Sequence, residues 1–260
     1  MHFTRALTRL PGSNFALGLT QSTGAAGPDL GVALKQHASY EAALRRCGLA
    51  VTTLGADLSF PDGTFVEDTA VVTPEWAITT IPGAAARAGE VSVIATALRG
   101  FFKDQIIQSI RSPGTLDGGD ICEADKHFFI GLSHRTNPEG ARQLAAMLTS
   151  LGHTSSTIDI CTSPTLLHLK TGIAYLGDNR LVLSEELSAR AEFSRFERIV
   201  VAPNESYAAN CVRVNDYVLV ARGYPQLLTA LSERGYRPIE LEMSEFQRMD
   251  GGLSCLSLRC

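Results

Sequence analysis

The chain has no apolar run long enough to cross a bilayer: a charge, a glycine or a proline breaks each candidate short of the ~18 residues a span needs. It also lacks the early apolar segment of about 7 to 15 residues that a signal peptide carries. The six cysteines (Cys47, Cys122, Cys161, Cys211, Cys255 and Cys260) are scattered without CxxC spacing, which argues for a reduced, cytoplasmic setting. A basic excess is missing too. The net charge of -4 and a pI near 5.9 leave no broad positive footprint for neutralising phosphates, so nucleic acid is excluded and a small-molecule partner is expected. The opening MHFTRALTRLPGSN has no acidic residue and superficially resembles a transit peptide, but Phe3, Ala6 and Leu7 fit better as the start of a strand leading into NFALGLT.

With 260 residues, 45% of them hydrophobic, the chain can bury a sizeable core. What fills it is repetitive. Five times, at a spacing of roughly 40 to 50 residues, a short apolar strand opens with a polar or reactive residue. These are Glu67 and Asp68 in FVEDTAVV, Asp117 and Asp120 in LDGGDIC, His168 in LLHLKTGIAYL, Asn210 in YAANCVRV, and Cys255 in GGLSCLSL. No linker interrupts the series, so a single domain over residues 1–260 is expected.

Four of the five sites lead into hairpins, with turns at Pro74-Glu75, Ala124 to Lys126, Gly177 to Asn179 and Asn215-Asp216. A helical segment follows each. Val91, Ile94, Leu98 and Phe101 mark the first, and Leu144, Met147, Leu148 and Leu151 the second, which Asn137-Pro138 starts and Gly152 stops. Glu185 to Arg198 and Pro225 to Arg234 are expected as the third and fourth, each followed by a short apolar stretch. Another helix is expected at about Asp29 to Cys47, before LAVTTLG. Its unit has no hairpin of its own, but the C-terminal strand GGLSCLSLR and the N-terminal strand can supply one and close a ring. The expectation is an α/β fold, a five-bladed α/β propeller of strand-strand-helix-strand units around a central channel.

Stacked repeats bring equivalent positions together, so a thiol, an imidazole and several carboxylates converge. Cys255 and His168 arriving from separate units form the pair that nucleophilic catalysis needs, with Asp117 or Asp120 placed to accept the imidazole N–H. Asp62, Glu67, Asp68, Asp117 and Asp120 together would repel one another unless a cation joins them. A planar guanidinium meets two carboxylates better than an ammonium does. The alternative is a metal held by the Asp, Glu and His side chains. Arg87 and Arg135 follow the first and second hairpins at comparable points and suggest a clamp for a ligand carboxylate.

FPDGTFVEDTAVV, PGTLDGGD, GLSHRTN, LLHLKTG, YAANC and DGGLSCLSLR, in that order and over essentially the whole chain, resemble the dimethylarginine dimethylaminohydrolases of the guanidine-modifying (pentein) superfamily. The resemblance implies a five-bladed α/β propeller that hydrolyses N-ω-methylated arginines to citrulline without a metal or organic cofactor. It makes Cys255 the nucleophile, His168 the general acid/base and Asp117 its supporting carboxylate. Asp62, Glu67 and Asp68 would bind the guanidinium side, and Arg87 and Arg135 the substrate carboxylate. It also implies that Leu19 lies on a lid loop, GLTQST, and that the Met249 carbonyl receives the α-ammonium. Some bacterial relatives carry Glu at the position of Asp117, which leaves open whether this shorter side chain meets His168 or the substrate. Zinc at Cys255 and His168 would be an inhibitor, and a homodimer is admitted as an assembly. Arginine deiminase chemistry, amidinotransfer and a non-catalytic propeller that binds arginine derivatives are the rival readings.

Overall fold

The computed structural model describes residues 2–21, 27–102 and 107–260. Their strands form five three-stranded sheets of one design, in which an inner strand pairs antiparallel with a middle strand and the middle strand pairs parallel with an outer one. The first sheet contributes β1 (Arg5–Arg9) and β2 (Ala50–Leu54). The second is β3 (Ala70–Val72), β4 (Ala77–Thr79) and β5 (Ile107–Ser109); the third is β6 (Ile121–Ala124), β7 (His127–Leu132) and β8 (Thr154–Asp159). The fourth is β9 (Ile173–Tyr175), β10 (Arg180–Ser184) and β11 (Glu197–Val201), and the fifth is β12 (Val212–Val214), β13 (Tyr217–Ala221) and β14 (Arg237–Leu241). The last strand, β15 (Leu258–Arg259), returns to the first sheet as its inner strand, pairing Ala6 with Arg259 and Leu7 with Leu258. The ends therefore close the ring as expected. Asn215 seals it from the other side: its side chain accepts from Phe3 N at 2.8 Å and donates to Phe3 O at 3.0 Å and Cys47 O at 2.9 Å.

The parallel crossover in each unit requires a connection that covers the sheet, and helical segments supply it. Helix α1 (Leu30–Arg46) starts on Asp29, whose Oδ1 accepts Val32 N–H at 2.8 Å; it is followed by α2 (Glu90–Arg99). Helix α3 (Pro138–Ser150) starts on Asn137, which accepts Gly140 N–H at 2.8 Å, and Gly152 follows it with φ 82°. Pro225–Glu233 is helical as the sequence suggests.

The expected helix from Glu185 to Arg198 is not continuous. It is a single turn, Glu185–Ser188, then a 3₁₀ turn, Ala191–Phe193, and then β11. Leu187 and Phe193 are both fully buried, yet six positions apart on one helix they would face well away from each other. Breaking the chain between them lets both reach the core, where Phe193 packs on Phe129 at 5.0 Å between ring centroids.

A second difference matters more for function. The polar residues that open the units precede the inner strands on short 3₁₀ turns: Val66–Thr69, Gly118–Asp120, Leu169–Thr171, Pro203–Ala209 and Ser254–Leu256. Such a turn draws the side chains into one layer above the sheets. Below that layer a cavity of about 290 Å³ is lined by residues of all five inner strands, including Val71, Ile121, Ala174, Val212 and Leu258. This is the central channel.

Candidate active site

Asp117 and His168 meet. His168 Nε2 lies 2.9 Å from Asp117 Oδ2, while Asp117 Oδ1 accepts Gly83 N–H at 2.8 Å and Asp117 N–H donates to Thr136 Oγ1 at 3.1 Å. Both oxygens of Asp117 are thus engaged, and the carboxylate reaches His168 despite its shorter arm. Asp120, the other sequence candidate, accepts from Ser133 and Thr136 hydroxyls, both at 2.7 Å, and from Leu169 N–H at 3.0 Å, so it braces the turn that carries His168 instead. Gly119 permits this approach: a Cβ there would lie 2.8 Å from Asp68 Oδ1 and 2.9 Å from His168 Cγ.

Burial disfavours a charged His168, but Asp68, Asp120 and Asp117 outweigh it and hold its pKa up at about 9. The ring is an imidazolium at neutral pH. Asp68 lies 3.8 Å from it and accepts Gly119 N–H at 3.0 Å. Burial opposes the charge of Asp68 as well, yet His168 and Arg87 hold this carboxyl down at about 2.

Cys255 sits in the last 3₁₀ turn, partly exposed, with Gly252 N–H pointing at its Sγ at 3.4 Å. Burial, and then the negative charges of Glu67 and Asp68, push its thiol up to about 12, so the thiol is uncharged at neutral pH. The charge of Asp68 therefore acts on both Cys255 and His168.

Asp62 is buried and its two oxygens accept Leu19 N–H, each at 3.1 Å. Among the described residues no cationic side chain pairs with it, and burial raises its pKa. Leu19 itself is exposed. Its loop is fastened to the segment before the nucleophile by Thr20 Oγ1 to Arg248 O at 3.2 Å and Gln21 N to Asp250 Oδ2 at 2.5 Å. Ser22 and Thr23 of the expected lid loop lie outside the described residues. Met249 is buried in that same segment, and among the described residues no donor reaches its carbonyl.

The two arginines separate. Arg135 is half-buried and its guanidinium has no side-chain partner among the described residues, although its charge reaches Asp62. Arg87 is buried and occupied: it pairs with Asp68 at 2.5 Å and Glu90 at 2.8 Å, and donates to Phe65 O at 2.9 Å. Its guanidinium thus faces Asp68 and Glu90, whereas that of Arg135 has no side-chain partner among the described residues.

Glu67 is also engaged. Lys170 Nζ lies 2.6 Å from Glu67 Oε1, Ser254 Oγ donates to Glu67 Oε2 at 2.6 Å, and Arg259 Nη2 stands 3.8 Å away. Glu67, Lys170, Ser254 and Arg259 line the central cavity, whereas Cys255, His168, Asp117 and Asp62 do not. Glu67 thus stands on the cavity side of the site, held by Lys170, Ser254 and Arg259.

Glu90, Lys170, Ser254 and Arg259 were not anticipated from the sequence. Lys170 carried the only local signal, since it follows His168 by two positions in a chain with only four lysines.

The family model described as arginine deiminase matches residues 86–219. The N(G),N(G)-dimethylarginine dimethylaminohydrolase of Pseudomonas aeruginosa is 42% identical over 257 residues, 99% of each chain, and that of Streptomyces coelicolor is 30% identical, over 98% of this chain and 96% of its own. The structure of the Pseudomonas aeruginosa enzyme, a cysteine-to-serine variant complexed with citrulline, superposes with a TM-score of 0.95 at 41% identity, covering 100% of both chains. The N-terminal domain of a cyanobacterial arginine dihydrolase shares the fold, with a TM-score of 0.86 at 18% identity over 98% of this chain and 97% of that one. A propeller of five repeated units, with a thiol and a carboxylate-bound imidazolium on its axial turns, is thus matched end to end, and the chain belongs to the dimethylarginine dimethylaminohydrolase family.

Proposed function

We infer that this chain hydrolyses N-ω-methylated arginines, asymmetric dimethylarginine and monomethylarginine, to citrulline and dimethylamine or methylamine. The observation that carries this reading is Asp62: a carboxylate buried without a cationic side-chain partner among the described residues, near Asp68 and within the field of Arg135, whose guanidinium has no side-chain partner among those residues either. A ligand with a cation at one end and a carboxylate at the other complements that arrangement.

The electrostatics give the order of events. At neutral pH the thiol holds its proton and His168 is charged. A bound guanidinium places positive charge against Cys255, offsets Glu67 and Asp68, and lets the thiolate form in the complex, its proton passing to solvent. The thiolate forms a bond to the guanidinium carbon, and the C–N bond to the methylated amine breaks as His168 gives that nitrogen its proton. A covalent thiouronium remains. His168, now neutral, takes one proton from water as the oxygen bonds to the same carbon; the C–S bond breaks, the remaining hydroxyl proton passes to the departing sulfur, and citrulline leaves with the thiol restored. Asp117 holds the imidazole throughout. Arg135 and the Met249 carbonyl are proposed to take the substrate carboxylate and α-ammonium, with Leu19 over the ligand.

Substituting Cys255→Ser tests the scheme: turnover is lost while ligand binding stays near that of the unaltered protein, and unaltered activity in the variant would end it. Among the rivals, arginine deiminase chemistry releases ammonia, amidinotransfer requires an acceptor amine, and a binding module has no use for the thiol and the acid.

An inhibitory zinc is proposed on His168 with Asp68 and Asp117, whose ligand atoms all lie within 4.8 Å of one another; Cys255, the expected partner of His168, is not in that group. Among the described residues no helix is long and apolar enough to cross a membrane. A reduced, cytoplasmic setting is proposed on the six free thiols, a single domain over residues 1–260 on the closed ring, and a homodimer on the family resemblance.

A further inference from the structure

Four of the five axial turns supply the thiol, the imidazole or the carboxylates; the fifth supplies Asn210. We propose that Asn210 is a positioning residue that straps the turn bearing Cys255 to the turn bearing His168. Its side chain is buried and all of its hydrogen-bonding groups are used on those two turns. Oδ1 accepts Ser254 N–H at 2.9 Å, while Nδ2 donates to Ser254 Oγ at 3.0 Å and to Lys170 O at 2.8 Å. Ser254 is the residue before the nucleophile, and Lys170 is two residues after the acid.

The network fixes which way the amide faces. Glu67 can only accept, so the Ser254 hydroxyl spends its single hydrogen on Glu67 Oε2, at 2.6 Å, and must receive one from its other neighbour. Lys170 O also accepts, and Ser254 N–H donates. Only an amide with nitrogen toward Lys170 and oxygen toward Ser254 N–H satisfies all three. The fit is close as well: a Cβ on Gly252 would lie 2.5 Å from Asn210 Oδ1, so a glycine is required at that point of the nucleophile segment.

An aspartate at 210 would keep the shape and the bond to Ser254 N–H. It would lose both donor bonds and turn a charge on two acceptors. An alanine would lose all three bonds and leave Lys170 O and Ser254 N–H without partners. Either change frees the two turns to move relative to one another. A displacement of about 1 Å between reacting groups costs on the order of 100-fold in rate.

This strap rests on the roles given to Cys255 and His168 under the proposed function, so one arm of its test uses no substrate. Asn210→Asp and Asn210→Ala are compared with the unaltered protein by thermal melting, by citrulline formation from asymmetric dimethylarginine, and by NMR-detected hydrogen exchange of the Ser254 amide. The expected result is a folded variant whose kcat falls by about 100-fold with KM within about threefold, and a Ser254 amide that exchanges faster in Asn210→Ala, where its acceptor is gone, than in Asn210→Asp, which keeps that bond. A kcat per folded molecule within about threefold of the unaltered protein, or a Ser254 amide equally protected in Asn210→Ala, overturns the strap. If the unaltered protein makes no citrulline, the functional reading fails and the Ser254 exchange alone decides on Asn210.

Discussion

His168 Nε2 stands 2.9 Å from Asp117 Oδ2, and the other oxygen of Asp117 is held at 2.8 Å by Gly83 N–H. A carboxylate fixed at both oxygens cannot turn towards a ligand, so its contribution passes through the imidazole. Asp117→Asn keeps the volume and removes the charge. The account expects kcat to fall by about 100-fold or more, with a much smaller change in KM, in steady-state citrulline assays.

The pH profile follows from the same group. His168 is held at about 9, above its ordinary 6.5, and donates its proton to the leaving amine, so kcat/KM is expected to decline as pH rises through about 9. Removing the Asp117 charge lowers the His168 pKa and shifts that alkaline limb to lower pH. A profile of the Asp117→Asn protein whose alkaline limb stays in place contradicts the assignment.

The two arginines predict opposite phenotypes. Arg135 has no side-chain partner among the described residues, so Arg135→Ala leaves the fold intact and raises KM by about tenfold or more while kcat changes little. Arg87→Ala strands Asp68 and Glu90 as buried carboxylates. Breaking a buried ion pair from one side costs about 3–5 kcal/mol, and denaturant unfolding should show a loss of that order.

His168 also links stability to pH. Its folded pKa of about 9 exceeds the ordinary 6.5, so its stabilisation is complete below 6.5 and is lost as pH rises through 9. The melting-temperature gap between the unaltered protein and His168→Gln should narrow over that interval. A gap that widens reverses the sign and removes the imidazolium from the account.

Zinc provides a fifth test. Added Zn²⁺ is expected to lower activity by occupying His168 with Asp68 and Asp117, and a chelator to restore it. A chelated protein that is inactive until zinc is returned would make the metal a participant in the reaction.

Much of this was legible in the sequence because the fold is a repeat. Each unit has its own turn chemistry and its own apolar strands, and a periodic signal survives local irregularity. Closure of the ring by β15 on β1, the helix cap at Asn137 and the meeting of His168 with Asp117 were legible in this way. The illegible parts are tertiary. Glu185 to Arg198 has helix-forming residues throughout, but burying both Leu187 and Phe193 overrides local preference. The pairing of Arg87 with Glu90 and Asp68, and of Glu67 with Lys170 and Arg259, depends on which side chains face one another across the axis. The repeat brings acidic and basic groups to the same layer without stating which charges cancel and which remain for a ligand. Asn210 fell outside every chemical category because its work is to join two turns.

The central claim is that Asp62, which has no cationic side-chain partner among the described residues, and Cys255 act together on a methylated guanidinium. The most direct measurement incubates the protein separately with asymmetric dimethylarginine, monomethylarginine and arginine, and quantifies citrulline together with the released amine. The account predicts citrulline in equal amount with dimethylamine or methylamine from the methylated substrates, with kcat/KM highest for one of them. Citrulline formed most efficiently from arginine with release of ammonia, or none from any of the three, would contradict it.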